Sequence, residues 1–426
     1  MRYIVYTLFL AVYIVEYVAQ SFGSSARVLS WLPELLSVVV LIMIILKGVI
    51  HKQIFLHSKY MVLFIIFVFL VLIGIIINDV KPGAIFSGIR TYFKFVPFFL
   101  LPTVFLFTDQ EIKKQLQFIL LIGILQLPVA LYQRFVTSYG MNTGDYVSGT
   151  LGISSTLTIF LVSLIAILFG FYYKKQIGLG CFIALIILLL IPTTINETKV
   201  TLFLLPATIL VTTLVSMHAN KKNWQVFPVL FIGFVMVISF YITYNHSIGM
   251  GKIRTLEGFD YMGSLYKEAE GNKSLYKAEE IGRLDSIILA YDHLSKDSIK
   301  FTVGLGIGNV SNSFSKQLIG EYMEFVHLGP NETMLSHLMW EVGLIGIILV
   351  LIGCGYIFYD SFSLSKNKGV IGGLALGWTA VVAIYILSIP YKDILVQNEI
   401  VYLFMYFSGY IASTKILISR NVSSIT

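Results

Sequence analysis

Charged side chains are scarce in this chain of 426 residues, since Asp, Glu, Lys and Arg together make up only 12% of it. Soluble domains carry about 25% charged residues, so the composition excludes a soluble globular protein. Hydrophobic residues supply 57% of the sequence, and the mean hydropathy is +0.84. Because about 20 nearly uncharged apolar residues cross a bilayer as a helix, we expect an all-α, polytopic membrane protein.

Cysteine and the common metal and nucleotide motifs are also rare or missing. The two cysteines, Cys181 and Cys354, fall within apolar stretches, so they predict no disulfide framework. The sequence has no HExxH, no paired-cysteine motif, no P-loop and no Asp-x-Asp. We therefore expect neither metal catalysis nor nucleotide hydrolysis, and no cofactor.

Twelve apolar stretches approach the length of a membrane span, and they leave one long connection. The first is predicted to be a retained span, because no small-residue cleavage site follows it. The division is membrane helices 1–9 in residues 1–244, a helical loop in 245–334, and membrane helices 10–12 with a tail in 335–426. The predicted spans are Tyr3–Gln20, Val28–Leu46, Tyr60–Ile77, Ala84–Phe107, Leu116–Val136, Leu151–Tyr173, Ile177–Ile195, Thr201–Met217, Val226–Tyr244, Leu335–Tyr359, Val370–Leu387 and Ile400–Thr414.

The distribution of basic residues predicts the orientation. If the N-terminus is cytoplasmic, the inner segments carry fourteen Lys or Arg and the short outer connections carry five. Basic residues are enriched on the cytoplasmic side, so both termini should lie there and the long loop outside. That loop holds nine basic and twelve acidic residues, a net charge of −3, so the membrane part carries +10 and the whole chain +7. The charge indicates contact with anionic lipid and no nucleic-acid partner.

Two cations lie within the fourth predicted span. Arg90 and Lys94 are four residues apart, which places them on one helical face. A cation at this depth is costly unless it snorkels to the headgroups, pairs with an acid of another helix or lines a wet cavity. Other basic residues lie on the same predicted outer side. With Arg90 and Lys94, these residues predict a cationic pocket for an anionic lipid headgroup such as a diphosphate; they are Arg134, Lys199 and Arg283.

The long loop contains one helical pattern and one glycine run. Within residues Gly282–Leu294, Leu284, Ile287, Ile288 and Tyr291 recur at helical spacing and predict an amphipathic helix. Glycines at positions 304, 306 and 308 then predict a flexible turn, which lacks the lysine and serine or threonine of a P-loop.

Three stretches resemble the bacterial O-antigen polymerase and O-antigen ligase family, which includes polymerases of other surface polysaccharides. A large outer loop before a late span is also typical of that family. The likeness covers most of the chain in topology but only short motifs in sequence. The stretches are Glu197-Thr198-Lys199; Gly282-Arg283-Leu284 with Gly304-Leu305-Gly306-Ile307-Gly308-Asn309; and Pro330–His337 followed by Glu341-Val342-Gly343-Leu344-Ile345-Gly346.

The resemblance implies a metal-independent glycosyltransferase of the membrane-embedded C type in the bacterial cytoplasmic membrane. Such an enzyme polymerises undecaprenyl-diphosphate-linked repeat units into a surface, capsular or exopolysaccharide. The donor and the acceptor are then both lipid-linked glycans, and a flippase and a chain-length regulator are implied partners. The cations that would hold the lipid diphosphate are Arg90, Lys94, Lys199, Arg283 and Arg134.

The general base is the point at which this sequence departs from the family. Ligase-type members have a histidine nine residues before Glu341, where this chain has Glu332. We therefore predict Glu332 as the base that takes the proton of the attacking hydroxyl, with His337 as its rival. The departure favours a polymerase over a ligase that transfers glycan to another carrier. A lipid-linked-oligosaccharide flippase is a further alternative, although uniformly short loops and repeated halves would be expected for it.

Overall fold

The computed structural model describes residues 2–22, 31–51, 54–137, 144, 146–196, 198–219, 228, 231, 233, 235, 238, 282–310, 318–322 and 332–423. Within these ranges the chain is helical and contains no strand. A π-helical turn, Gln133–Thr137, follows α6. The α-helices are α1 (Arg2–Phe22), α2 (Leu32–His51), α3 (Ser58–Ile77), α4 (Pro82–Phe93), α5 (Val96–Val104), α6 (Asp109–Tyr132), α7 (Ser154–Tyr173), α8 (Leu179–Ile195), α9 (Thr201–Ala219), α10 (Arg283–Leu294), α11 (Ser298–Val303), α12 (Met334–Leu364), α13 (Gly369–Ser388) and α14 (Asn398–Ser423).

Several helices of the described part indicate a multi-pass membrane protein. Seven are long and apolar enough to cross a membrane, or eight if the bent pair α4 and α5 forms one span. Two shorter apolar stretches, Tyr3–Val15 and Leu179–Ile195, lie in α1 and α8. The predicted ninth span, Val226–Tyr244, lies almost entirely outside the described residues. The total of twelve therefore stays a prediction.

The fourth predicted span is broken, so its prediction as a single helix Ala84–Phe107 is wrong. α4 ends at Phe93, α5 begins at Val96, and the two helix axes are bent by 46°. Pro97 lies in the first turn of α5. Its ring lacks an N–H and would clash with the carbonyl of Phe93 in a continuous helix. Lys94 lies directly at this break.

The boundaries of two other spans also differ from the prediction. α6 begins at Asp109 rather than Leu116, because Thr108 and Glu111 form a capping box. The Thr108 N–H donates to Glu111 Oε2 at 2.8 Å, and this bond supports the first turn in polar surroundings. α14 extends over Asn398–Ser423 instead of Ile400–Thr414. In both cases the helix includes polar turns beyond its apolar part, and a search for apolar stretches does not detect them.

The core is built around α7, whose side chains from Ser155 to Tyr173 are all buried. α7 crosses α13 at two glycines that allow close approach of the backbones. A Cβ atom at Gly170 would lie 2.5 Å from the backbone nitrogen of Gly377, and one at Gly377 would lie 2.6 Å from Cα of Ile167. Small residues at helix crossings are the usual solution in membranes, where backbone contact replaces side-chain interdigitation.

The bundle has two distinguishable ends, because α3 and α12 run antiparallel. At one end the Lys59 ammonium and the Tyr60 hydroxyl each donate to Asp360, both at 2.7 Å. We call this the Lys59 end. At the other end Gly74 of α3 contacts Gly306. We call this the loop end, and it carries the start of α12 together with α10 and α11.

Candidate functional site

A buried histidine between two carboxylates lies at the loop end. His337 stands in the first turn of α12, and its Nδ1 is 2.7 Å from Oδ2 of Asp393, in the connection between α13 and α14. Its Nε2 is 3.4 Å from Oε2 of Glu341, one turn further along α12. The exposed fractions are 2% for His337, 1% for Glu341 and 0% for Asp393. Ionisable groups buried at membrane depth are expensive and usually functional, so this His337 cluster is the candidate reaction centre.

Tyr92 connects the His337 cluster to α4. Its ring meets the imidazole edge to face, with centroids 5.8 Å apart. Its hydroxyl is close enough to the Glu341 and Asp393 carboxylates to be affected by their negative charge. Since Tyr92 stands between Arg90 and Lys94 in sequence, α4 presents the tyrosine to the His337 cluster and the two cations to another helix.

Arg90 and Lys94 face α2. The Nε atom of Arg90 is 2.7 Å from Oε2 of Glu34, and the ammonium of Lys94 is 3.9 Å from Oε1 of the same carboxylate. The Arg90 guanidinium also lies over the ring of Trp31, 4.6 Å from its centroid. The structure thus pairs both predicted cations with an acid of a different helix, while 35% of the Arg90 side chain stays exposed.

The connection of residues 389–397, which we call the connecting loop, organises the site. It carries Asp393, and its Tyr391 ring lies under the Arg283 guanidinium at 4.4 Å. It also caps α12, because carbonyls at Ile389 and Lys392 accept the N–H groups of Leu335 and Met334 at 3.1 and 3.2 Å. Lys94 is within electrostatic range of Asp393. The connecting loop therefore brings Arg283, the His337 cluster and the α4 cations to one region.

The glycine run is a packed crossing rather than the flexible turn predicted. Gly304, Gly306 and Gly308 all have positive φ, at 76°, 88° and 77°. The Gly306 N–H donates to the Glu341 carbonyl at 3.0 Å. A Cβ at Gly308 would lie 1.9 Å from the carbonyl oxygen of Ala84. The run thus passes between α3, α4 and α12 where a side chain would not fit, and it fixes the backbone at Glu341.

The predicted amphipathic helix is confirmed as α10, and of its apolar residues Ile287 packs against the core while Ile288 is half-buried. Leu284 and Tyr291 are exposed, whereas Ser286, Ala290 and Leu294 are buried. Small side chains let α10 approach α12 closely, and the Ser286 carbonyl accepts the Ser336 hydroxyl at 3.1 Å. Close backbone approach has outweighed the burial of larger apolar side chains.

His293, near the end of α10, packs its ring against Trp340 at a centroid distance of 5.2 Å. Partial burial lowers the pKa of His293 below its ordinary value of 6.5, and the nearby ammonium groups of Lys296 and Lys300 lower it further. The imidazole is therefore held in its neutral form where α10 contacts α12.

The remaining predicted site residues lie on other elements. Glu332 is exposed in the turn before Thr333, whose hydroxyl caps α12 by accepting the Ser336 N–H at 3.0 Å. Arg134 is half-buried in the π-helical turn after α6, and Lys199 is exposed in the turn before α9. The helix directions place both at the loop end. Of the five predicted cations, Arg283 contacts Tyr391 of the connecting loop. Arg90 and Lys94 flank Tyr92, whose ring contacts His337.

Three acids of the site were not predicted from the sequence, each for a different reason. Glu34 is an acid inside the second predicted span and is the natural complement of Arg90, so a search for paired charges between spans would have found it. Glu341 follows His337 by four residues, a spacing that predicts contact on one helix. Asp393 meets His337 across 56 residues of sequence. No local pattern indicates that contact.

The arrangement of the His337 cluster suits proton transfer better than metal binding. Its two ring nitrogens face different carboxylates, so the potential ligands do not converge on one point. Among the described residues no group of three or more His, Cys, Asp or Glu side chains has a geometry that holds a metal ion. No protein-family model and no curated protein matches this chain. Its function must therefore be argued from the site itself.

Proposed function

We propose that this chain is a membrane glycosyltransferase that polymerises undecaprenyl-diphosphate-linked repeat units into a surface polysaccharide on the outer face of the cytoplasmic membrane. The observation that carries the proposal is the buried His337–Asp393 pair at 2.7 Å, with the cationic helix α4 next to it. This arrangement supports the proposal, because transfer of a sugar from a lipid diphosphate needs both a proton acceptor and groups that stabilise an anion.

The proposed reaction is a displacement at the anomeric carbon of the donor sugar. A hydroxyl of the acceptor sugar attacks that carbon, the new C–O bond forms, and the bond to the diphosphate oxygen breaks. The hydroxyl proton passes to His337. Asp393 occupies Nδ1, so the proton goes to Nε2, and the Glu341 carboxylate at 3.4 Å from Nε2 stabilises the imidazolium that results.

The departing undecaprenyl diphosphate gains negative charge as the bond breaks. Arg90 and Lys94 are the cations nearest the His337 cluster through α4, and Lys94 has only 12% of its side chain exposed. A fixed cation in a partly dry site stabilises developing charge more than one in water does. We assign the leaving diphosphate to these two residues, with Arg134 and Lys199 as more distant contributors of positive potential at the same end.

The test is chain extension by the purified protein in nanodiscs, supplied with the undecaprenyl-diphosphate-linked repeat unit and followed as a ladder on a gel. Removal of a general base costs about 10²–10⁴ in rate, so His337→Gln should nearly stop extension while the donor still binds. Cys181→Ser, at an exposed position, is the matched control and should extend normally.

Glu332→Gln belongs in the same experiment, because Glu332 is the base that the sequence predicts. If that variant stops extension and His337→Gln does not, the base is Glu332 and our assignment to the His337 cluster is wrong. Transfer of glycan to a second carrier without a ladder would indicate a ligase. Movement of the lipid-linked unit across the bilayer without any glycosidic bond would indicate a flippase.

A further inference from the structure

Glu34 is the acid on which both cations of α4 converge. It lies in the first turn of α2, and 11% of its side chain is exposed. Its Oε2 accepts the Arg90 Nε–H at 2.7 Å, whereas its Oε1 is 3.9 Å from the Lys94 ammonium and accepts no hydrogen bond from a described residue. A carboxylate beside a site for an anion repels the ligand. Glu34 therefore either takes the place of the ligand or holds the cations in position for it.

The contact between Glu34 and Arg90 favours the second role. A carboxylate that imitates a phosphate accepts two parallel N–H bonds from the guanidinium. Glu34 accepts one, from Nε, and among the described residues no group accepts a hydrogen bond from the two Nη groups of Arg90. The Trp31 ring lies against the guanidinium, 4.6 Å from its carbon, and fixes its plane. The plane and one edge of Arg90 are thus held, and its Nη groups remain for a ligand.

A second contact holds α2 against α4 one turn further along. The Ser37 hydroxyl donates to the Lys94 carbonyl at 2.5 Å, and it also lies 3.0 Å from the Tyr402 hydroxyl of α14. In a continuous helix the Phe98 N–H would bond the Lys94 carbonyl, but at the break between α4 and α5 it bonds the carbonyl of the following residue. α2 therefore contacts the end of α4 both at a side chain and at the backbone that the break leaves free.

Arg90 depends on Glu34 more than Lys94 does. Lys94 is also close enough to Glu399 and Asp393 to be affected by their negative charge. Among the described residues Glu34 is the one acid within ion-pair distance of Arg90. A change at Glu34 should therefore act on the orientation of Arg90 before it acts on Lys94.

We propose that Glu34 is a positioning residue, which fixes Arg90 so that its two Nη groups are available to the diphosphate of the lipid-linked donor. The inference rests on the proposed function, in which Arg90 and Lys94 hold the leaving diphosphate. The negative charge of Glu34 weakens the attraction for the anion. In return the guanidinium is oriented before the ligand arrives, so less side-chain freedom is lost on binding.

The test compares two substitutions of Glu34 that both remove its charge and differ in one hydrogen-bond acceptor. Glu34→Gln keeps an oxygen for the Arg90 Nε–H, and Glu34→Ala does not. Binding of inorganic pyrophosphate to the full chain in nanodiscs is measured by calorimetry. Since both variants lose the same repulsion, the difference between them reports the orientation of Arg90. Glu34→Ala should bind pyrophosphate about tenfold or more weakly than Glu34→Gln, as expected for loss of a hydrogen bond to a charged group.

Equal affinities in the two variants, both higher than in the wild type, would mean that Glu34 takes the place of the ligand and would overturn the proposal. Asp292→Ala is the charge control, because it removes an exposed acid of α10, and it should bind pyrophosphate as the wild type does.

Arg90→Lys supplies a background in which no guanidinium is left to orient. Glu34→Gln and Glu34→Ala should bind pyrophosphate equally in that background, because the effect of Glu34 acts through its contact with Arg90. A difference that persists there would assign the effect to a general loosening of α2 and would also overturn the proposal.

The same comparison with undecaprenyl diphosphate in the nanodisc lipid tests the lipid-linked ligand. The difference between the two variants should recur, and a difference confined to pyrophosphate would overturn the assignment to the donor. Chain extension separates this inference from the proposed function. If the difference is found but no repeat is extended, the polymerase function fails and the role of Glu34 stands. If repeats are extended while both variants bind equally, the role of Glu34 fails and the function stands.

Discussion

At the scale of single residues, Asp393 determines what His337 is able to do. It fixes the ring through Nδ1 at 2.7 Å, while its other oxygen accepts the Leu395 N–H at 3.2 Å and so fixes the carboxylate. His337 was recognisable in the sequence as a rival base, because it stands near a family-like motif. Its orienting partner was not, because the partner comes from a loop that only the packed bundle brings near.

Asp393→Asn should lower the turnover number by about 10²–10⁴ while the KM for the donor stays nearly constant. The asparagine keeps the shape but no longer stabilises the imidazolium that forms during the reaction. The measurement is extension rate against donor concentration. Asp292→Asn, an exposed acid on α10, is the control, and a rate loss of similar size there would mean that the effect is general rather than local to His337.

His293 predicts a pH dependence in the docking of α10. Its pKa in the folded state is lowered from 6.5, so the unfolded or undocked state binds the proton more readily. The contribution of neutral His293 is therefore complete above pH 6.5 and is lost as pH falls from 6.5 through the lower folded pKa. The undocked form gains population in that window.

The measurement is hydrogen-exchange protection of α10 at about pH 7.5 and about pH 5.5, a range in which histidine alone among unperturbed side chains titrates. Protection should fall at the lower pH in the wild type and stay nearly level in His293→Gln. Equal pH dependence in both proteins would assign the effect to another group.

At the scale of elements, the crossing of the glycine run with α3, α4 and α12 holds the backbone next to the His337 cluster in place. Glycines in the sequence indicated a turn, but the sequence does not say that three other backbones approach it. The same holds at Gly343, where φ is 64° and α12 bends two residues after Glu341. The break between α4 and α5 coincides with Pro97, but a proline alone does not predict a break, because Pro128, Pro192 and Pro206 lie inside continuous helices.

Gly308→Ala should be strongly destabilising. The alanine would need φ near 77°, and its Cβ would approach the Ala84 carbonyl to 1.9 Å. A strained backbone position alone costs about 1–3 kcal/mol, and the overlap adds to it. The readout is the melting temperature in detergent. Gly355→Ala, on α12 where a Cβ would meet nothing within 4 Å, should melt at or above the wild-type temperature, and an equal loss there would refute the steric explanation.

At the scale of the whole molecule, composition was sufficient to predict a helical membrane protein, whereas the orientation indicated by the positive-inside bias stays a prediction. The antiparallel packing of α3 and α12 puts Lys59 and Lys366, both predicted to be cytoplasmic, at the end opposite α10. Which helices touch within the bundle was beyond the sequence, because nearly every span is apolar on all sides and its pattern favours no one neighbour.

The orientation is testable with single cysteines in a background in which Cys181 and Cys354 are replaced. Ser295→Cys, exposed after α10, should react with a membrane-impermeant maleimide in intact cells. Lys366→Cys, exposed after α12, should react only after lysis. The reverse pattern would invert the topology and place the His337 cluster on the cytoplasmic side.

The connecting loop also determines when the His337–Asp393 pair can form during biosynthesis. Residues 389–397 supply Asp393, the stacking ring for Arg283 and the carbonyls that cap α12, and they follow both α12 and α13 in the chain. Earlier helices can enter the bilayer with their cations in place, and His337 already has Glu341 beside it on α12, yet Asp393 reaches His337 only after α13 has emerged. The His337–Asp393 pair can therefore form only after α12 and α13 have both been synthesised.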